Sequence, residues 1–494
     1  MNLDDLFHDT ARRQPEHAAI CGPRPDDRLS YDDLDRAIGA AVDRLRVAGV
    51  RPGHCVGLHV PSGVSYIVCT YAAWRCGACV VPLPTELTAV EKAEITGSIA
   101  LDAVITSTSR VSGIRTQGLL SSYSCPSVPV AAGIDAALVS GGRDHPSGFR
   151  DIDSAFIRFT SGTTGASKGV VLSHQTIAER VRAANEVLTV GPDDRVIWVL
   201  SMAYHFAVTI AGYLSVGATI VLPANHFAPA ILDSASRHRA TVIYGSPVHY
   251  TWLAGHRDAG PLTELRLAVS TTAPLDRRTA DAFRGRFGLP VTQALGIIEV
   301  GLPFINTVAA DRPLAVGRLL PAYRLRLADV GLGTDVKEIH LSGPGFLDAY
   351  YRPWQPRAAV MPDGWFRTGD VGSLDADGVL TLRGRTTDVI SILGKKFFPQ
   401  EVEAVLAGHP GVAAAGVFAR ADGRFGEVPH AHVVPRGRGP TEAELIRFCR
   451  ERLAEFKVPH RISFVAALPR TANGKVLHRD VACDRGTPDL PPHL

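Results

Sequence analysis

The chain of 494 residues carries 52 basic and 49 acidic side chains, a formal net charge of +3, and 46% of it is apolar. That length predicts roughly three domain-sized units, and the apolar share is ample for a sizeable core. The near-balance of charge argues against a nucleic-acid partner, which calls for a strongly basic face. No apolar run approaches the ~18 residues of a membrane helix, so no membrane span is expected. The acidic start, Met1-Asn-Leu-Asp-Asp, lacks the basic and apolar regions of a signal peptide. A cytoplasmic location follows as the expectation.

In chain order, residues 29–52 read as an amphipathic helix with Ser30 as N-cap and Asp32 and Asp33 in its first turn. Cys55 to Val60 reads as a short buried strand, and strands then alternate with helices, the pattern of an α/β protein. Cys76 and Cys79 form a CxxC, but no second ligand pair accompanies them, so core packing is the expectation. Eight cysteines are too few for a disulfide scaffold in a chain this long. The 18 histidines lack HExxH or HxxxH spacing, so no metal held by histidines is expected. Residues 140–153 are rich in turn formers and predict a surface linker. A helix over 176–188, a strand over 196–200 and hairpins within 363–388 follow. After Pro399 the pattern changes. Helices over 399–408 and 440–456 and a strand near 428–434 suggest a separate small domain, and the tail 485–494 is expected to be loose.

Between two apolar runs lies Phe159-Thr-Ser-Gly-Thr-Thr-Gly-Ala-Ser-Lys168-Gly169. Glycines let backbone N–H groups turn toward an anion. The hydroxyls of Thr160, Ser161, Thr163 and Thr164 donate to phosphate oxygens, Gly162 and Gly165 open the backbone, and Lys168 supplies a point charge. Counted from Gly162, a Walker loop needs Gly at 167 and Ser or Thr at 169; here stand Ser167 and Gly169.

This stretch resembles the phosphate loop of the adenylate-forming superfamily of acyl-CoA synthetases, peptide-synthetase adenylation domains and firefly luciferase. Further motifs follow in the expected order from about Leu6 to Arg479. Leu267-Ala-Val-Ser-Thr-Thr-Ala-Pro-Leu275 resembles the turn beside the adenine, which implies Thr272, Ala273 and Pro274 as neighbours of the base. The family usually has glycine or glutamate where Thr271 and Thr272 stand. Gln293-Ala-Leu-Gly-Ile-Ile-Glu299 resembles the segment whose acid binds Mg²⁺, which implies Glu299, with Thr163, as metal ligands. Leu295 replaces the usual aromatic stacked on adenine, beside Gly296, and Ile298 replaces a hydroxyl. Stacking is worth roughly 1–3 kcal/mol, of which Leu keeps only some. Gly364-Trp-Phe-Arg-Thr-Gly-Asp370 resembles the ribose-binding segment, implying Asp370 on the ribose hydroxyls. Gly384-Arg-Thr-Thr-Asp388 resembles the interdomain hinge, implying Arg385 on ribose or phosphate and Thr387 at the hinge itself; Gly394 would line the thiol channel. Pro469-Arg-Thr-Ala-Asn-Gly-Lys475 resembles the catalytic-lysine motif. Lys475 would neutralise charge as a carboxylate meets the α-phosphate.

Amino-acid-activating relatives carry Phe-Asp after the phosphate loop to hold an α-ammonium. Here the segment is Leu200-Ser-Met-Ala-Tyr-His205-Phe206-Ala-Val-Thr-Ile210, with no carboxylate to pair a buried amine. The expected substrate is therefore an acid without an α-amino group: aryl, aliphatic or terpenoid. His205 matches a histidine near the reacting carboxylate, and Phe206, Tyr244, Gly245, Ser246, Ile297, Ile298 and Leu302 would form the remaining wall.

The resemblance implies an α/β fold. Its large N-terminal domain, residues 1–386, would comprise two mixed sheets and a distorted β-barrel, and residues 387–494 would form a small mobile α+β domain. The leading expectation is an acyl- or aryl-CoA ligase of secondary metabolism, using ATP, Mg²⁺ and coenzyme A. Two rivals stand beside it. A stand-alone adenylation enzyme would load the phosphopantetheine of an acyl carrier protein supplied in trans, since only 19 residues follow Lys475. A degenerate member would bind acyl-AMP or acyl-CoA without forming it. Light emission by a luciferase-type oxygenase is a remote third.

Overall fold

The computed structural model describes residues 2–107, 127–139, 144–160, 168–256, 260–330, 335–392 and 395–468. Contacts gather the chain into two compact units, Met1–Arg324 with Leu341–Phe366, and Leu325–His340 with Arg367–Leu494.

The first unit is built on two mixed sheets. In one, the neighbours run Gln355–Pro356, Ala349–Tyr350, Lys168–Ser173, Ser154–Thr160, Cys79–Pro82, Cys55–His59, Ala103–Ser107, Ile134–Leu138 and Val128–Ala131. Its central strands are parallel, and both edges turn antiparallel. The other sheet runs Gly317–Leu319, Gly301–Ile305, Val291–Ile297, Leu267–Ser270, Val242–Gly245, Arg195–Trp198, Thr219–Val221, Ala18–Cys21 and Arg28–Ser30. The central strands are near-continuous apolar runs because helices cover parallel sheets on both faces. Val56, Ile105, Val196 and Ile243 are all fully buried.

Local chemistry sets the helix ends. The helix Tyr31–Val47 starts at a capping box in which Ser30 accepts from Asp33 N and the Asp33 carboxylate accepts from Ser30 N. It stops five residues before the expected end at 52, because Gly49 takes a left-handed φ of 89° and turns the chain out of the helix. The strand Cys55–His59 and the helix His174–Leu188 fall where the pattern placed them. Cys76 and Cys79 are buried free thiols.

In the second unit the hairpin Phe366–Leu374 and Val379–Arg385 lies beside Lys337–Ser342 and Arg324–Ala328. A further sheet joins Lys395–Phe397, Ile390–Ile392, Gly426–Pro435 and Val412–Asp422, and Arg461–Phe464 pairs with Gly426–Pro435. The helices Pro399–Ala407 and Glu442–Arg450 cover it, and Val402, Leu406, Leu445 and Cys449 supply the buried side. The second helix ends at 450 rather than 456, giving way to a 3₁₀ turn, Glu455–Lys457. No helix among the described residues is long and apolar enough to cross a membrane.

Candidate active site

The stretch expected to hold phosphates connects the two strands of a hairpin. Ser154–Thr160 and Lys168–Ser173 pair antiparallel, and Thr160 stands opposite Lys168. Ser161, Gly162, Thr163, Thr164 and Gly165 lie outside the described residues, as do Gly394 and Lys475. Gly169 is tightly packed: a Cβ there would sit 3.0 Å from both the Phe159 ring and Tyr351 Cβ. The strand Ala349–Tyr350 therefore lies close against the base of the loop, with Tyr350 opposite Val170.

That strand brings Lys168 and Glu299, both expected site residues, to the two sides of Tyr350. The Lys168 ammonium sits 4.7 Å from the centre of the Tyr350 ring. The Tyr350 hydroxyl donates to Glu299 Oε1 at 3.0 Å. Burial, and then the Glu299 carboxylate, push the Tyr350 phenol well above its ordinary range, so it stays a donor. The turn carrying Glu299 is itself clamped. Buried Arg180 donates to Ile298 O at 2.9 Å and to Gly345 O at 3.0 Å through Nε. Leu347 N donates to Glu299 O at 2.7 Å. Arg180 and Tyr350 carry no motif in the sequence. The one signal for Arg180 is a cation on the apolar face of an amphipathic helix.

The remaining expected site residues separate into groups. Thr272 has φ 78°, the left-handed conformation that β-branched residues avoid. It and Ala273 are half-buried, and Pro274 is exposed. Leu295 pairs with Phe304, and a register shift between Leu295 and Ile297 leaves Gly296 exposed. Ile298 and Glu299 are partly exposed, whereas Ile297 and Leu302 are buried.

His205 ends the short helix Met202–His205, with the Trp198 ring edge-on at 6.2 Å. Burial, then the neighbouring Arg158 charge, hold its pKa down at about 3, so it is a neutral imidazole at pH 7. Tyr244 is buried and stacks on Trp198 at 5.1 Å. Ser246 Oγ lies 2.8 Å from His249 Nδ1 at the start of the helix Pro247–Gly255, just after the buried Gly245. Phe206 is fully buried among the rings of Tyr66, Tyr71 and Trp74, all within 6 Å; its ring belongs to that aromatic core.

In the second unit, Asp370 and Arg385 face each other across the hairpin, and Arg385 Nε donates to Asp370 Oδ1 at 2.9 Å. Thr368 Oγ1 accepts from Asp370 N at 3.0 Å and donates to Ile339 O at 2.8 Å. Gly369, within the strand Phe366–Leu374, takes φ 71°, which glycine allows without strain.

Comparison with known proteins adds a second line of observation. Residues 7–351 match the AMP-binding enzyme family, and residues 401–475 match the AMP-binding enzyme C-terminal domain. A Mycobacterium tuberculosis CoA ligase acting on a 7a-methyl-1,5-dioxo-octahydro-1H-inden-4-yl propanoyl group is 33% identical, over 94% of this chain and 95% of its own. A feruloyl-CoA synthase of an Amycolatopsis species is 30% identical over 92% and 93%. Among solved structures, the amide bond synthetase McbA from Marinactinospora thermotolerans superposes with TM-score 0.83 and 27% identity, over 96% of this chain and 98% of its own. The chain belongs to the AMP-binding enzyme family, as an AMP-forming acid–thiol ligase that activates a carboxylic acid.

Proposed function

We propose that the enzyme joins ATP to a carboxylic acid lacking an α-amino group, releases pyrophosphate, and transfers the acyl group from AMP to the thiol of coenzyme A. The observation that carries this reading is the Lys168–Tyr350–Glu299 arrangement at the base of the phosphate loop. It sets a cation and an acid side by side where a polyphosphate and its counter-ion need them. The absence of an α-amino group is supported by the sign of the charge at His205: the structure brings the Arg158 guanidinium there.

In this reading Thr160, Ser161, Gly162, Thr163, Thr164, Gly165 and Lys168 hold the phosphates. Thr272, Ala273, Pro274, Leu295 and Gly296 border the adenine. Asp370 accepts from the ribose hydroxyls and Arg385 reaches ribose or phosphate. Lys475 neutralises charge as the carboxylate oxygen forms its bond to the α-phosphorus and pyrophosphate departs. The thiolate sulfur then bonds to the acyl carbon and AMP leaves. Glu299 fits a hard cation, since its carboxylate is partly exposed and Oε1 accepts one hydrogen bond. With Thr163 it would hold Mg²⁺, which supplies charge neutralisation on the phosphates. The functional division is placed at 386, with Thr387 absorbing the backbone change between the two half-reactions. Cytoplasmic location completes the proposal.

Pyrophosphate exchange across a panel of aryl, aliphatic and terpenoid acids tests the first step. Adding coenzyme A, or a carrier protein bearing phosphopantetheine, then identifies the acceptor. Exchange driven by an α-amino acid would overturn the substrate class. Silence of the folded protein across the panel would favour a binding role without catalysis.

A further inference from the structure

The strand that leads into the phosphate loop carries a guanidinium that adenylation chemistry does not use. Ile157 and Phe159 point into a core cluster, so strand alternation sends Arg158 to the opposite face. There its NH1 donates to Tyr204 O at 2.7 Å, and its guanidinium carbon lies 5.1 Å from the centre of the Tyr204 ring. It is close enough to His205 and Tyr66 to act on both electrostatically.

Two features of this group are unusual. Among the described residues, Arg158 Nε and the Tyr66 hydroxyl are both buried donors with no hydrogen-bond partner. A buried donor left unpaired is destabilising, so a ligand that pairs it gains more than it would in water. Among the described residues no carboxylate forms an ion pair with Arg158, although Glu299 attracts it at longer range. Burial lowers its pKa to about 10, so it remains charged at pH 7. Arg158, Tyr204 and His205 nevertheless all keep partial exposure. A planar fork of donors within electrostatic reach of a phenol has the form of a receptor for a carboxylate.

We propose that Arg158, with Tyr66, binds a second carboxylate on the acid, and so directs the enzyme toward dicarboxylic acids activated at one end. This rests on the acid-activating reading above and narrows it. The wall stays largely apolar, but one point on it selects an anion. The phosphate-bearing end of the strand lies beyond Thr160, so Lys168 and Arg158 serve different anions.

The test compares pyrophosphate exchange for matched pairs: butyrate with succinate, hexanoate with adipate, decanoate with sebacate, and benzoate with terephthalate. The wild-type protein is expected to favour the diacid in at least one pair by about tenfold or more in kcat/KM, because a site built to pair an oxygen rejects the analogue that lacks it. Arg158→Met should remove that preference by raising KM for the diacid, with the monoacid rate held within about threefold. Arg158→Lys keeps the charge without the fork and should fall between. Wild-type protein that favours the monoacid in every pair, or shows no preference, overturns the proposal whatever the variants do. Equal loss on both members of a pair in Arg158→Met also overturns it, since that would mark a structural role. If no acid supports exchange, the acid-activating reading fails on its own terms. Thermal protection by adipate, terephthalate or sebacate then decides this one: protection of wild type but not of Arg158→Met or Arg158→Lys supports it, and equal or absent protection overturns it.

Discussion

Tyr350 donates its phenolic hydrogen to Glu299 Oε1 at 3.0 Å, and the same ring lies 4.7 Å from the Lys168 ammonium nitrogen. One aromatic side chain therefore orients the acid through its edge and the base through its face. In the proposed mechanism it holds a metal ligand and a phosphate ligand at a fixed separation.

Tyr350→Phe keeps the ring beneath Lys168 and removes the hydrogen bond. It is expected to weaken magnesium dependence by about 10- to 100-fold, the usual cost of losing a partner behind a metal ligand. A magnesium titration of pyrophosphate exchange reads this directly. An unchanged midpoint would remove Tyr350 from the positioning role.

Lys475→Ala is expected to lower adenylation by a factor of roughly 10²–10³, as for one preorganised donor lost. Thioester formation from supplied acyl-AMP should persist, because in the proposed mechanism the lysine acts in the first half-reaction. Exchange rates within about threefold of wild type would refute the role.

Thr272→Gly should raise stability by about 1 kcal/mol. A β-branched residue at φ 78° holds strain of about 1–3 kcal/mol, and glycine's added freedom in the unfolded chain returns only about 0.5–1 of it. The urea midpoint is the measurement. A lower midpoint would mean that the Thr272 side chain makes contacts worth more than its strain.

Acid should destabilise the fold before the carboxylates titrate. Burial holds His59 and His174 near pKa 4 and His205 near 3, all below their unfolded value of about 6.5. Between those limits the unfolded chain binds protons that the native protein does not. Stability is thus intact above about pH 6.5 and falls as pH drops toward 4, by up to about 1.4 kcal/mol per pH unit for each group. Urea midpoints at pH 7 and pH 5 should differ accordingly. His59→Gln should flatten the slope, because it removes one such group while keeping an acceptor near Thr106 Oγ1.

Much of the fold is legible in the sequence where one period dominates. The strand at Cys55, the helix after His174 and the hairpin around Asp370 sit where their patterns put them. The strand Val412–Asp422 does not announce itself: Ala413, Ala414, Ala415 and Gly416 lack the β-branched side chains that mark strands, and a long antiparallel partner overrides their propensity. The site divides similarly. Lys168, Glu299, Asp370 and Arg385 stand in motifs whose spacing carries chemistry. Tyr350, Arg180 and Arg158 act through distant pairings, such as Arg180 with Gly345 and Ile298, and no local window contains both partners.

Thr160 and Lys168 face each other as the last rung of their hairpin ladder, and this has a consequence for how the loop between them responds to change. Folding has already brought Thr160 and Lys168 together, so the chain between them closes a ring at that rung. Even doubling the ring would add only about 0.6 kcal/mol of closure entropy. Insertions there should pass almost unnoticed in unfolding experiments and, in the proposed mechanism, be felt in nucleotide affinity. The fold itself therefore sets almost no limit on how long that connection can be.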